Sequence, residues 1–314
     1  MKVVIIGPGA LGCLLASSLS LKSKTDNPLD IWILDHRPDR VRQLAQNGLI
    51  LEEDGRKFHC RINATEDGRE IGQTDIIFLC VKSLDVADGL AAAQSITADN
   101  TLLITLQNGI GHLDILQTHK EPPFIALGVT AQGANLVGTG HVRHAGNGIT
   151  RLGILNGSTN RLTSILTEVA GLMNNAGIET SITENIIDFV WAKLLVNVGI
   201  NALTAIHNCP NGELLESTAI TKQLSDAVRE AAAVARARGI QIVTDPVAVT
   251  LEVCIQTGLN ISSMLQDVRN RRLTEIDSIN GAIVNAAREL QIPVPVNEEL
   301  VRKVKEIEKN YPVE

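Results

Sequence analysis

Three polar side chains interrupt an otherwise apolar stretch, Phe189-Val190-Trp191-Ala192-Lys193-Leu194-Leu195-Val196-Asn197-Val198-Gly199-Ile200-Asn201. Lys193, Asn197 and Asn201 recur at i, i+4 and i+8, which lines them up on one face of a helix. A helix that is apolar nearly all round is a buried one, and a buried Lys is costly unless a charge or ligand meets it. A surface helix with its stripe in water is the plainer alternative. Such stripes favour Glu, Lys and Arg, whereas Asn is a poor helix former. The pattern therefore points to the wall of a polar cleft. A lysine partly desolvated there has its pKa lowered toward neutrality. While cationic it polarises a carbonyl, and it can protonate the oxygen as hydride reaches the carbon.

A second group binds rather than reacts. Gly7-Pro8-Gly9-Ala10-Leu11-Gly12 follows the apolar run Val3–Ile6 and opens a helical pattern. That is the context in which GxGxxG binds a dinucleotide. The helix N-terminus then offers N–H groups and a positive dipole end to the phosphates. Asp35 ends the next apolar run, DIWILD, 23 residues after Gly12. An acid there accepts hydrogen bonds from a ribose 2′-hydroxyl and favours NAD. His36, Arg37 and Arg40 follow at once, and Arg matches a 2′-phosphate. The two signals oppose each other; NADP(H) is slightly favoured, with NADH use left open.

A third cluster, Asn260-Ile261-Ser262-Ser263, precedes a helical pattern, where Ser is a natural N-cap. Arg269, Arg271, Arg272, Glu275 and Asp277 follow it. Capping and solvated charge account for most of this, and spacing leaves Glu275 undecided between surface acid and site residue.

The elements that must position these groups change character along the chain. Continuous apolar runs at Lys2–Ile6, Asp30–Asp35, Asp75–Val81 and Thr101–Leu106 alternate with helical patterns, as in a doubly wound parallel sheet. Leu49 to Ile62 reads as a hairpin turning at Glu53-Asp54-Gly55. Short β-like runs between Gly128 and Gly157 read as extra strands of the same sheet. From Glu184 onward helices are expected over 184–206, 217–238, 247–256, 266–290 and 297–309. The expected fold is α/β, a Rossmann-type domain over 1–182 and an all-α substrate-binding domain over 183–314. A cleft between two such domains is a usual small-molecule site.

Composition narrows the classes further. The 314 residues carry 28 Lys and Arg against 35 Asp and Glu, a net charge of −7, and only 2% aromatics. Nucleic-acid binders show basic patches and stacking platforms, so none is expected here. The most apolar runs are broken by Lys, Asn or Asp before the ~18 residues of a membrane span, so no span is expected. Five scattered cysteines without CxxC spacing fit free thiols in a cytoplasmic protein. No histidine has metal-ligand spacing, and no metal is expected. A closed homodimer is the default assembly.

Together the motifs resemble the 2-dehydropantoate 2-reductase, or ketopantoate reductase, family. The resemblance spans nearly the whole chain. It rests on GPGALG at Gly7–Gly12, VK at Val81-Lys82, LQNG at Leu106–Gly109, the Lys193/Asn197/Asn201 helix with TAIHNCPNGEL after it, and NISSMLQDVRNRRLTEIDSINGAIV from Asn260 to Val284. It implies reduction of ketopantoate to pantoate with NADPH, on the route to pantothenate and coenzyme A. It makes Lys193 the general acid and Glu275 a catalytic carboxylate touching cofactor and substrate. Asn108, Asn197, Asn201, Asn211, Asn260, Ser262 and Ser263 become substrate-binding. Gly7–Gly12, His36, Arg37, Lys82, Asn108, Ala134 and Glu275 become cofactor-binding. Two positions depart from the pattern: His36 stands at the register of the family's Arg, and Asp85 where a Gln is common. The rival readings are a reductase of another branched 2-keto acid and a nucleotide-sensing binding protein without catalysis.

Overall fold

A computed structural model describes residues 1–22, 29–118, 124–155 and 160–311. His119 and the end of the Gly128–Gly157 stretch fall outside them. The chain folds as two compact units, 1–107 with 114–186, and 108–113 with 187–314. The second unit therefore begins later than residue 183 and also claims a short segment from the middle of the first.

The first unit begins with β1 (Lys2–Ile6), α1 (Ala10–Lys22), β2 (Asp30–Leu34) and α2 (Pro38–Asn47). The hairpin β3 (Leu49–Glu53) and β4 (Arg56–Cys60) follows, then β5 (Asn63–Thr65) and α3 (Gly68–Ile71). Next come β6 (Ile76–Leu79), α4 (Val86–Gln94), β7 (Leu102–Thr105), α5 (Leu113–Thr118) and β8 (Phe124–Thr130). It closes with β9 (Gly133–Gly138), β10 (His141–Gly146), β11 (Thr150–Ile154), α6 (Asn160–Asn175) and β12 (Thr180–Ile182). The main sheet runs β12-β11-β8-β7-β6-β1-β2-β5. From β5 to β8 all pairs are parallel, and the strand order reverses between β1 and β6. That reversal is the switch point where such sheets bind nucleotides.

The hairpin turns at Asp54-Gly55, both with positive φ, a geometry matched to strand twist. The expectation of one sheet for 128–157 needs correction. β8 and β11 join the main sheet, but β9 and β10 form a second, four-stranded sheet in the order β4-β3-β10-β9. β10 pairs in parallel with β3, and this arrangement buries Leu49, Leu51 and Val142 in the core that also holds Leu14 and Leu15 of α1. Helix α6 was not anticipated; its buried Leu162, Leu166, Val169 and Met173 join that core too.

The second unit comprises α7 (Ile186–His207), α8 (Thr218–Ala237), α9 (Pro246–Gln256), α10 (Ser263–Arg269), α11 (Asn280–Glu289) and α12 (Pro295–Lys309). α7 is long and apolar enough to cross a membrane, contrary to the expectation, yet most of it is buried inside the protein. Trp191, Leu194, Leu195 and Val198 pack with Leu224, Val228 and Ile283, so α7 is the core helix of this unit. The single helix expected over 266–290 is instead two, separated by Arg271 with φ +54° and a 3₁₀ turn at Ile276–Ser278. Neither Pro nor Gly marks that break. It is held by a local cap, in which the Arg272 N–H donates to the Asp267 carbonyl at 2.9 Å, and by bonds to distant segments; Glu275 sits inside it.

Candidate active site

The glycine turn assigns each glycine a different task. Gly7 has φ +95°, and a Cβ there would lie 2.8 Å from the Val81 backbone nitrogen. A Cβ on Gly12 would lie 2.2 Å from the Gly7 carbonyl oxygen. Turn and helix packing therefore require these two. A Cβ on Gly9 would meet only the Cys80 carbonyl oxygen, at 3.9 Å. No internal packing demands glycine at Gly9, and close approach of a ligand to the backbone is the remaining physical use. The first bond within α1 runs from the Cys13 N–H to the Gly9 carbonyl at 2.9 Å. The N–H groups of Ala10, Leu11 and Gly12 precede it, at the end of the helix where an anion binds. Buried Pro8 contributes its carbonyl to the Cys13 thiol at 3.4 Å.

β1 and β2 are in register from Lys2 with Asp30 to Ile6 with Leu34, so Asp35 ends beside Gly7. Asp35 is 4% exposed, and the Arg40 guanidinium binds both of its carboxylate oxygens. The acid that could read a ribose is thus covered by a cation. The His36 side chain is exposed, and the Arg37 guanidinium, also exposed, donates to Asp39 at 2.9 Å. Lys82 lies just past β6; the carbonyls of Leu79, at the end of β6, and of Val81 beyond it accept from Gln107 Nε2 at 2.8 and 3.1 Å. Ala134 lies on β9, opposite His144 of β10.

In the second unit, α7 carries its polar line from Lys193 and Asn197, both half-buried, to Asn201, which is buried. Among the described residues nothing hydrogen-bonds the Asn197 or Asn201 side-chain amide. Lys193 keeps part of its surface open, but burial of its ammonium pushes the pKa down to about 8. The nearby Glu275 carboxylate opposes that fall. Glu275 accepts a hydrogen bond from Asn108 Nδ2 at 3.1 Å.

Asn108 reaches Glu275 because segment 108–113 docks on the 3₁₀ turn. The Ile110 N–H donates to the Ser278 carbonyl at 3.0 Å. Gly109 has φ +81°, and a Cβ on it would lie 2.0 Å from that same carbonyl oxygen. This docking was missed at the sequence level, although the LQNG motif contained its signal, a Gly that only close approach explains.

The remaining substrate candidates divide. Buried Ser262 caps α10, accepting from the Leu265 N–H at 3.1 Å, and shares a 2.7 Å bond with the Thr204 hydroxyl. Its hydroxyl is thus committed within the protein. Ser263 beside it is exposed, as is Asn260. Asn211 is buried; its Nδ2 donates to the Thr257 hydroxyl at 2.9 Å, its N–H to the Asn260 carbonyl at 3.0 Å, and its Oδ1 has no partner among the described residues. The structure thus brings Lys193, Glu275 and Asn108 together, and ties Ser262 to α7 one turn beyond Asn201.

Comparison with known proteins follows the same lines. The family profile "Ketopantoate reductase PanE/ApbA" matches residues 3–157, and "Ketopantoate reductase PanE/ApbA C terminal" matches residues 185–308. A 2-dehydropantoate 2-reductase of Halobacterium salinarum is 34% identical over 297 residues, 94% of this chain and 95% of its own. A PanE/ApbA family ketopantoate reductase from Ralstonia eutropha superposes with a TM-score of 0.89 at 30% identity, covering 99% of each chain. D-mandelate dehydrogenase in ternary complex with NADH and anilino(oxo)acetate superposes with a TM-score of 0.91 at 28% identity, covering 100% of each.

Proposed function

The chain belongs to the ketopantoate reductase family, and we propose that it reduces 2-dehydropantoate to (R)-pantoate with NADPH as preferred donor and Lys193 as general acid. The carrying observation is Lys193 itself, an ammonium desolvated to a pKa of about 8 beside Glu275 and in line with two unpartnered Asn amides. Near neutral pH it is cationic and polarises the C2 carbonyl. As that oxygen gains charge, Lys193 Nζ gives up a proton to it and later recovers one from solvent. Asn197 and Asn201 fix the substrate's oxygens so that one face of C2 is presented. Glu275, steadied by Asn108, keeps the lysine protonated between turnovers. Gly7–Gly12 would hold the dinucleotide, whose nicotinamide would supply the hydride.

Arg40 supports NADPH, since it neutralises Asp35, and the exposed Arg37 guanidinium lies next in the chain. A second reading, an NADH-dependent reductase of a different 2-keto acid, draws on Asp35 itself and on the NADH-bound D-mandelate dehydrogenase neighbour. Five free cysteines support a cytoplasmic setting. Steady-state oxidation of NADPH and of NADH with ketopantoate tests the reading. Selective NADPH consumption is expected. Comparable activity on 2-ketoisovalerate, which lacks the hydroxyl, would favour the second reading. No turnover with either cofactor, in protein that binds one, would overturn both the substrate and the Lys193 role.

A further inference from the structure

Glu275 lies between α10 and α11, where its carbonyl accepts from the Ser278 and Ile279 N–H groups at 3.0 and 3.1 Å, but a single 3₁₀ turn does not by itself fix its place against the rest of the unit. The residue before it, Thr274, is fully buried and donates both its N–H, at 2.8 Å, and its hydroxyl, at 2.7 Å, to Glu308 Oε1 on α12. The residue after it, Ile276, donates its N–H to the Thr274 hydroxyl at 3.2 Å. The carboxylate of Glu308 therefore organises the backbone on both sides of Glu275. Its other oxygen lies 3.2 Å from Lys305 Nζ, which also binds Asp277 at 2.5 Å. One turn of α12 thus grips residues 274 and 277, and Glu275 lies between them.

A carboxylate is an expensive way merely to fill this space. Glu308 is 8% exposed, and a buried acid is costly unless its charge and lone pairs are met. Here they are met by two donors on Thr274 and by Lys305. An apolar residue would pack as well but would leave the Thr274 N–H without an acceptor.

We propose that Glu308 is a positioning residue for the reduction, holding the Thr274–Ile276 turn so that the Glu275 carboxylate stays directed at Lys193. This rests on the role proposed above for Glu275. A displacement of about 1 Å at a catalytic group can cost about 100-fold, so a residue that touches neither substrate nor cofactor can still govern rate.

The test compares Glu308→Leu, Glu308→Gln and Glu275→Gln in the full chain, by kcat, KM for ketopantoate, NADPH affinity, thermal melting and the pH profile of kcat/KM. Glu308→Leu is expected to lower kcat by about 10- to 100-fold with NADPH affinity within about twofold. Its basic limb should move to lower pH, because Glu275 is the carboxylate that holds the Lys193 pKa up. Glu308→Gln, which keeps an acceptor for Thr274, is expected to recover most of the rate. If Glu308→Leu does not fold, Thr274→Val carries the same expectation, with Thr274→Ser as the rescue. A folded Glu308→Leu or Thr274→Val protein with unchanged kcat and limb overturns the proposal, as do losses that follow melting temperature alone. Impaired Glu275→Gln beside an unimpaired Glu308→Leu removes only the positioning role. Unimpaired Glu275→Gln removes the Glu275 reading and this proposal with it.

Discussion

The turn after β1 and the turn before α11 both shape the candidate site, but by opposite means. The first does so with backbone alone. Its requirements fall on six consecutive residues; the absent Cβ atoms of Gly7 and Gly12 permit a bend and a packing contact, and that of Gly9 leaves open space beside the backbone. The second places a side chain, Glu275, with bonds drawn from Asn108, Ile110, Lys305 and Glu308. A contiguous device tolerates change poorly but is self-contained. A dispersed one spreads its dependence over segments nearly 200 residues apart in the chain.

The largest expected effect concerns chemistry rather than either turn. Lys193→Ala is expected to lower kcat by about 1,000-fold, within the range for a lost general acid, while NADPH affinity by fluorescence titration stays within about twofold. Parallel losses in both would break the division between a binding turn and a reacting line.

The glycine turn makes the next prediction. Gly9→Val should fold with an unchanged melting temperature, since the added atoms meet little protein, yet bind NADPH about 100-fold more weakly, ~2.7 kcal/mol. Gly12→Val should not fold, its Cβ being 2.2 Å from the Gly7 carbonyl oxygen. Equal stability of the two variants would mean that the three glycines are not distinct in role.

The contrast also explains what was legible beforehand. The parallel sheet and its glycine turn were visible because continuous apolar runs and a local motif carry them. The line Lys193, Asn197, Asn201 was visible because helical spacing is local too. Glu275 was undecided from spacing, and resemblance to a family raised it. The break that presents it, through Arg271-Arg272-Leu273-Thr274, contains good helix formers, so local propensity hides it; a left-handed turn at Arg271, together with Lys305, Glu308 and the 108–111 segment, imposes it. The second sheet was hidden for the same reason: β10 pairs with β3, which is remote in sequence. A Ser of the Asn260–Ser263 cluster was expected as a cap, and Ser262 is that cap; its bond to Thr204 commits the hydroxyl named for substrate.

pH tests the dispersed site directly. The Lys193 pKa is pushed down to about 8 by burial, so kcat/KM should fall above that pH, approaching tenfold per unit. Glu275→Gln should shift this limb lower. Stability moves the other way. The folded pKa lies below the unfolded one, so between about 8 and the ordinary lysine value of 10.5 the unfolded chain binds more protons. Melting temperature should gain from this group as pH rises through that window, and Lys193→Met should remove the gain. A limb that ignores Glu275 would sever the pair.

The smallest expected effect is on cofactor choice, and it returns to the contiguous side of the comparison. Asp35 and Arg40 form a neutral pair beside the glycine turn, with both carboxylate oxygens engaged. Removing the cation leaves a buried carboxylate that repels a 2′-phosphate and regains an acceptor for a ribose hydroxyl. Arg40→Ala should therefore lower the NADPH-to-NADH ratio of kcat/KM by about tenfold, ~1.4 kcal/mol. Asp35→Asn keeps the shape without the charge and should raise the ratio, guarding against the cost of an unpaired buried acid. Opposite movement in the two variants would make the pair a selector built, like the glycine turn, from neighbouring residues. A ratio unchanged in both would move selection outward to the exposed His36 and Arg37.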